Sequence, residues 1–260
     1  MRKLSGILME RRDLSSRCVL NKPELKQYLM SGQFLSILPG RKYFSLEELY
    51  AKLSRKCPDL KKAQLSRCMF DLVKNGKIYG AGRGWYSLIE NPLEPEREHV
   101  QEIVDLLAPK YPRLDFSCWS TKHVRSFMHH LLAKFVTFVY TQWEAMEPMG
   151  DLLESEGYKV WVNPHGKDID RFHVNMEKTV VIRPLISRVP VEGHFASFEK
   201  ILVDLRVEIR QLPLMDESEY DTLLPSALTA GRVDVGTLIS YAKRRRVNVD
   251  EIVSSIRKVK

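Results

Sequence analysis

The sequence holds no apolar run of the length that crosses a bilayer, and Met1 to Gly6 is not followed by the apolar core of a signal peptide. A cytoplasmic location with no membrane partner is expected. Cysteine is scarce and scattered: Cys18, Cys57, Cys68 and Cys118 form no Cys-x-x-Cys pair and lack a histidine at the spacing of a zinc site. They are expected to be reduced, with Cys68 packed and Cys118, beside Trp119, buried rather than nucleophilic. The histidines show no His-Glu-x-x-His spacing, and the neighbours His129 and His130 on a helix cannot both face one site. A Walker-type phosphate loop is missing as well. Gly80-Ala81-Gly82-Arg83-Gly84 runs into a strand rather than a helix and reads as a turn. Neither a cofactor nor a metal is expected.

Paired acids with a neighbouring lysine are missing too. Metal-dependent nucleases hold their cation with clustered carboxylates and place a lysine beside them, often two residues after an acid. Within residues 91 to 260 no lysine has Asp or Glu two positions earlier. Glu144, Asp168, Asp170 and Glu177 are scattered acids of strand ends and loops, and Glu199 and Asp204 read as a helix-start charge and a solvated helix face without a basic partner. The expectation is a non-enzymatic protein, with a restriction-type endonuclease carrying a helix-turn-helix as the alternative.

What the chain has is an uneven charge. Residues 1 to 90 carry 18 Lys and Arg against 8 Asp and Glu, whereas the remainder of the whole-chain 41 and 33, which is 23 against 25, is nearly balanced. A positive field confined to one end is the footprint of a nucleic-acid binder. Within that end, Ser45 to Glu48 is a Ser-x-x-Glu helix start, with Leu46, Leu49 and Leu53 at helical spacing before Cys57-Pro58 stops the run. Asp59 is a plausible new cap. From Leu60 to Lys74 the residues Leu65, Met69, Leu72 and Val73 form one stripe, leaving Lys61, Lys62, Gln64, Arg67 and Asp71 on the other side. Asn75-Gly76 ends this helix, and Lys77 to Tyr79, the glycine turn with Arg83 at its tip, and Trp85 to Leu88 read as strand, turn and strand. The pattern is that of a winged helix-turn-helix. Gln64 and Arg67 are the candidates for base contacts and Lys61, Lys62 and Arg83 for phosphate, the partner being double-stranded DNA. A protein-docking module with a solvated charged face is the other reading of the same unit.

Before this unit, Pro23 starts a short helix over Glu24 to Met30, and Gln33 to Leu38 is an apolar cover. Arg2, Lys3, Arg11, Arg12 and Arg17 read as a solvated arm or helix face, with contact to a DNA backbone as the alternative. The domains expected are residues 1 to 90 for the winged unit and its extension, 91 to 98 as a linker (Asn91-Pro92-Leu93-Glu94-Pro95-Glu96), and 99 to 260 for a second domain. That domain alternates helix-like His99 to Ala108, strand-like Leu114 to Trp119, helix-like Thr121 to Leu131, strand-like Phe135 to Tyr140, helix-like Met149 to Glu156, and strands at Tyr158 to Val162 and Thr179 to Ile182 around a polar loop. Residues 196 to 212 then form an amphipathic helix with Phe198, Ile201, Leu202, Leu205, Ile209 and Leu212 as its apolar stripe, and two more helices follow at about Asp234 to Lys243 and Asp250 to Lys258. The fold class is mixed α/β, helices packed on a sheet. The run Lys243, Arg244, Arg245 and Arg246 admits three readings: a second DNA contact, a partner surface, or a basic helix end suited to the dipole.

Trp119-Ser120-Thr121 with Phe127-Met128 and His130, then Asn163-Pro164, Arg183-Pro184-Leu185-Ile186-Ser187 with Pro190, Glu199-Lys200-Ile201-Leu202-Val203-Asp204, and Tyr241-Ala242-x-Arg244-Arg245 stand in the order found in the AbiEi-like family. Over residues 45 to 255 the chain resembles those antitoxins and transcriptional regulators of type IV abortive-infection systems, including a branch common in Bacteroidetes. The resemblance implies an N-terminal winged helix that represses its own operon. It also implies a C-terminal domain that opposes a nucleotidyltransferase-type toxin encoded beside it, without a stable complex. The first 40 residues and the tract 211 to 232 depart from the family pattern. The oligomeric state is not readable.

Overall fold

The structure, a computed structural model, describes residues 27–128, 135–172 and 178–260. The basic residues at Arg2, Lys3, Arg11, Arg12 and Arg17, together with Cys18, His129, His130 and Glu177, lie outside the described residues. The chain is mixed α/β and divides into two units. The described part of the first is residues 27–39 and 45–77, and the second is residues 40–44 and 78–260. This division differs from the expected boundary at 91 to 98, and it puts the helix pair and the strand-turn-strand in different units. Among the described residues no helix is long and apolar enough to cross a membrane.

The first unit is helical. Residues 27–30 are helical and Gln33–Ile37 is a 3₁₀ turn, with Leu29, Phe34 and Leu38 buried. Helix α1 (Leu46–Ser54) starts where the Ser45 hydroxyl accepts from the Glu48 N–H at 3.1 Å. It buries Leu49 and Leu53. Helix α2 (Lys62–Lys74) starts later than expected. Its cap is not Asp59: the Gln64 Oε1 accepts from the Lys61 N–H at 3.0 Å. Leu65, Met69 and Leu72 are its buried stripe. Val73, expected in that stripe, is 36% exposed, because it lies one position round the helix from Leu72. At the far end the Lys77 N–H returns to the Leu72 carbonyl and Gly76 takes φ +65°, the expected left-handed stop.

The second unit holds two sheets. The smaller has the order β1-β3-β2, where β1 is Tyr43–Ser45, β2 Tyr79–Gly80 and β3 Trp85–Ser87; the chain enters the first unit at Ser45. The Asn91 to Glu96 stretch, expected as a linker, is pinned here: the Leu93 N–H donates to the Arg232 carbonyl at 2.9 Å, and Pro92 bridges Arg232. Tyr43 fixes the same corner, its hydroxyl donating to the Gly231 carbonyl at 2.9 Å and accepting from the Val233 N–H at 3.0 Å.

The larger sheet has the order β6-β7-β5-β4-β9-β8, from β4 (Phe116–Ser120), β5 (Val136–Thr141), β6 (Lys159–Val162), β7 (Thr179–Pro184), β8 (Val191–Glu192) and β9 (Phe195–Ala196). β5, β7 and β6 are parallel, and β4 is antiparallel to β5 in the register Cys118 opposite Val139. Both faces are covered, so central strands read as nearly continuous apolar runs. One face packs Cys118, Val139, Val180 and Ile182 against α3 (Gln101–Lys110) and α4 (Met146–Ser155). The other packs Trp119, Phe138, Tyr140 and Val181 against α6 (Phe198–Glu208), α7 (Glu217–Ala230), α8 (Val235–Arg244) and α9 (Val249–Lys258). The polar loop before β7 contains a short helix, α5 (Lys167–Arg171). Beyond the first turn, where Pro148 stands in α4, proline also sits at Pro109 in the last turn of α3 and at Pro225 inside α7. The sequence reading ended α3 before Pro109 and placed no helix at α7, although Tyr220, Leu223, Leu224, Ala227 and Leu228 are buried at helical spacing.

Candidate functional site

The outward side of α2 carries the expected basic residues. Lys61, Lys62, Gln64 and Arg67 are exposed and Asp71 is half-buried; Lys74, which the sequence reading did not single out, is exposed as well, and among the described residues Lys61, Arg67 and Lys74 make no ion pair. Lys62 pairs with Glu47, both side chains at least half exposed, a contact too solvated to hold the lysine against a polyanion. Gln64 also serves α2 itself. Its Oε1 already caps the helix, so the two-atom grip on adenine that needs both Oε1 and Nε2 would cost that cap. Phe70, absent from the sequence reading, is 67% exposed one turn from Arg67.

Arg83 is exposed at the tip of its turn, as expected. The basic run does not act as one surface. Lys243 and Arg246 are exposed, and Arg244 donates to the Arg188 carbonyl at 2.7 Å while lying over the Tyr241 ring. Arg245 turns inward. Its side chain is 13% exposed, with Nε 2.9 Å from Asp204 Oδ1 and Nη2 3.7 Å from Glu208 Oε1.

That arginine belongs to a buried charge network that the sequence reading missed. Helix α6 is buried on nearly every side, so Asp204 does not face solvent and does have basic partners, against both expectations. Lys200, Asp204 and Glu208 follow one another at four-residue spacing on one face of the helix. Lys200 Nζ pairs with Asp204 Oδ2 and sits 3.6 Å from the centre of the Tyr140 ring. The Tyr241 hydroxyl donates to Asp204 Oδ1 at 2.8 Å. Glu208 accepts from the Tyr140 hydroxyl at 2.9 Å and from Arg183 Nε at 3.0 Å. Arg183 in turn donates through Nη1 to Asn163 Oδ1 and the Pro164 carbonyl. Burial lowers the pKa of Lys200, opposed by Asp204, and raises that of Glu208, opposed by Arg183. The carboxylates are thus occupied by guanidinium, ammonium and phenol donors. Among the described residues no group of three His, Cys, Asp or Glu is placed to hold a metal ion. The network joins stretches that stand far apart in the chain, Asn163-Pro164, Arg183, Lys200 to Asp204, and Tyr241 to Arg245. Cys118 is buried as expected, and burial pushes its thiol up to about 12.

A second buried group borders a cavity of about 420 Å³ whose wall includes Leu93, Glu96, Phe127 and Phe198. His123 Nδ1 accepts from the Ser120 N–H at 3.0 Å, which leaves Nε2 to donate to the Glu96 carbonyl at 3.0 Å. The ring is held neutral: burial lowers its pKa to about 4, outweighing the backbone contact to Ser120. The folded value lies below the unfolded one, so its contribution is present above the unfolded value and is lost as pH falls through the folded value. Urea unfolding near pH 7 and near pH 4 is expected to show a loss of about 3 kcal/mol from this residue. His123→Gln, which does not titrate, should flatten the acid limb by that amount; an unchanged limb would exclude the assignment.

Comparison with known proteins adds one match. The model of a family of unknown function (DUF6577) matches residues 64–259. No curated protein and no solved structure matches the chain.

Proposed function

The chain belongs to that family of unknown function, and from the outward side of α2 we infer that it is a DNA-binding transcriptional regulator. The observation that carries this reading is the exposed pair Arg67 and Lys74, which make no ion pair among the described residues, on the side of α2 opposite the buried Leu65, Met69 and Leu72, with Lys61 exposed at the N-cap. Such a helix fits the major groove, and Arg67 has the fork that pairs with guanine O6 and N7. The basic excess of the first 90 residues supports it, since neutralised phosphates supply most of the affinity for a duplex. Arg83, exposed, serves as a phosphate contact.

The test is binding of the full chain to its own upstream DNA and to random duplex across a salt series, without and with magnesium. Sequence-dependent binding that weakens log-linearly with salt and leaves the DNA intact is expected. Arg67→Ala should cost about 1 to 3 kcal/mol on the operator and relax specificity at one base pair, whereas Lys62→Ala should weaken every sequence alike. Equal losses on operator and random DNA for Arg67→Ala would remove it as a base reader. Magnesium-dependent cutting would favour the endonuclease. The exposure of Phe70 and Val73 favours a second reading, a protein-docking helix, and absence of DNA binding at low salt would select it.

The antitoxin role is part of the same proposal and rests on the order of the AbiEi-like motifs. Co-expression with an adjacent nucleotidyltransferase-type toxin should restore growth, and continued arrest would refute that role.

A further inference from the structure

We propose that Phe70 reads the 5-methyl group of thymine, at the base pair of the guanine held by Arg67 or the next one, so that the recognised sequence contains a guanine–thymine neighbourhood. The inference rests on the DNA-binding reading of α2. Phe70 is 67% exposed on the same outward side as Arg67 and Lys74, while Leu65, Met69 and Leu72 take the buried side and the 36%-exposed Val73 stands at its border. A helix that only met phosphates would gain nothing from a phenyl ring in water. In the major groove the one apolar group on a base edge is the thymine methyl, and phenylalanine is among the side chains that contact it. Arg67 and Phe70 are three residues apart, so they project from the same side of the helix, about 4.5 Å apart along its axis. That rise is close to one base-pair step of about 3.4 Å, which sets the two contacts on the same or neighbouring pairs. The cations Arg67 and Lys74 flank the ring along the helix, with the half-buried Asp71 the one acid between them, so the ring enters the groove beside a net positive charge.

The experiment selects duplexes from a random pool with the full chain at low salt. Each thymine of the consensus is then replaced by deoxyuridine, which removes only the methyl, and each guanine by 7-deazaguanine, which removes N7. The expected result for the unaltered chain is an affinity loss of about fourfold at one thymine, the worth of one buried methyl. A larger loss is expected at a guanine one pair away or less. Phe70→Ala should lose affinity for the thymine duplex and become indifferent to deoxyuridine, while Arg67→Ala becomes indifferent to 7-deazaguanine. The deoxyuridine arm needs no variant and so stands even if Phe70→Ala fails to fold. A consensus that responds to 7-deazaguanine but to no deoxyuridine would overturn the proposal and leave the DNA reading intact. Selection of no duplex at all would overturn both and mark Phe70 as a contact for protein.

Discussion

Asp204→Ala is expected to destabilise the protein by about 3 to 5 kcal/mol, a large share of the stability of a typical domain. The carboxylate is fully buried between Lys200, Arg245 and the Tyr241 hydroxyl, and all three donors lose their acceptor at once. Breaking a buried pair by removing one partner is costly because the other charge stays behind without compensation. Lys200→Met should cost less, about 1 to 3 kcal/mol, since Asp204 keeps Arg245 and Tyr241 and the thioether fills the stem's volume. Urea denaturation of both variants gives the ranking. Equal or reversed costs would mean that the network contributes packing rather than charge compensation.

The same variant has a pH signature. Burial already lowers the pKa of Lys200, and Asp204 is the main group that opposes this. Without Asp204 the folded value falls further below the unfolded one. A depressed folded value means that stability rises with pH toward the unfolded lysine value. The deficit of Asp204→Ala against the unaltered chain should therefore shrink between about pH 7 and pH 9, below the range in which unfolded tyrosines ionise. A deficit independent of pH over that window would mean that Lys200 keeps the same protonation in the folded variant as in the folded unaltered chain, so that loss of Asp204 does not shift it. The network also ties distant stretches of the second unit to one helix, so its loss is expected to act on the whole unit cooperatively.

How much of this was legible in the sequence depends on which signal each residue carries. Period-two and period-3.6 patterns placed β4 to β7 and α1, α2, α3, α4, α6, α8 and α9, because apolar residues at those spacings are also the ones the fold buries. Helix α7 was missed because Pro225 stands inside an otherwise helical pattern. The candidate DNA-reading residues were visible as the polar side of α2, but Phe70 was not, since an apolar residue is read as core by default. The charge network was hidden by the same reflex in reverse. Lys200, Asp204 and Glu208 look like the solvated side of an amphipathic helix, and only the burial of α6 on nearly every side makes them interior. Their regular four-residue spacing was the available signal, together with Arg183 in a β-branched strand. The basic run at Lys243 to Arg246 looked like one patch, yet Arg245 serves the interior because α8 ends there and turns it toward Asp204.

Gly82→Ala is the second change expected to cost about 3 kcal/mol or more, and its reason lies in where the glycine turn rests. A wing is expected to project freely, but this turn is seated on the start of α8: the Gly236 N–H donates to the Ala81 carbonyl at 3.2 Å. A β-carbon at Gly82 would stand 2.2 Å from Asp234 Oδ1, 2.6 Å from the Gly236 nitrogen and 2.8 Å from its α-carbon. Asp234 caps α8 by accepting from the Thr237 N–H at 2.7 Å, so the methyl group would displace the cap or push the turn off the helix. Gly82 also takes φ +89°, which a side chain disfavours by about 1 to 2 kcal/mol. Gly84 separates the two contributions. It has φ +76° with open space around the missing β-carbon, so Gly84→Ala should cost only the backbone share. Urea unfolding of the two variants side by side tests this. A clearly larger loss for Gly82→Ala means that contact with α8 fixes the turn, and with it the backbone from which Arg83 projects. Matching losses would mean that the turn yields to the added methyl group, and the seat on α8 would then be a weak one.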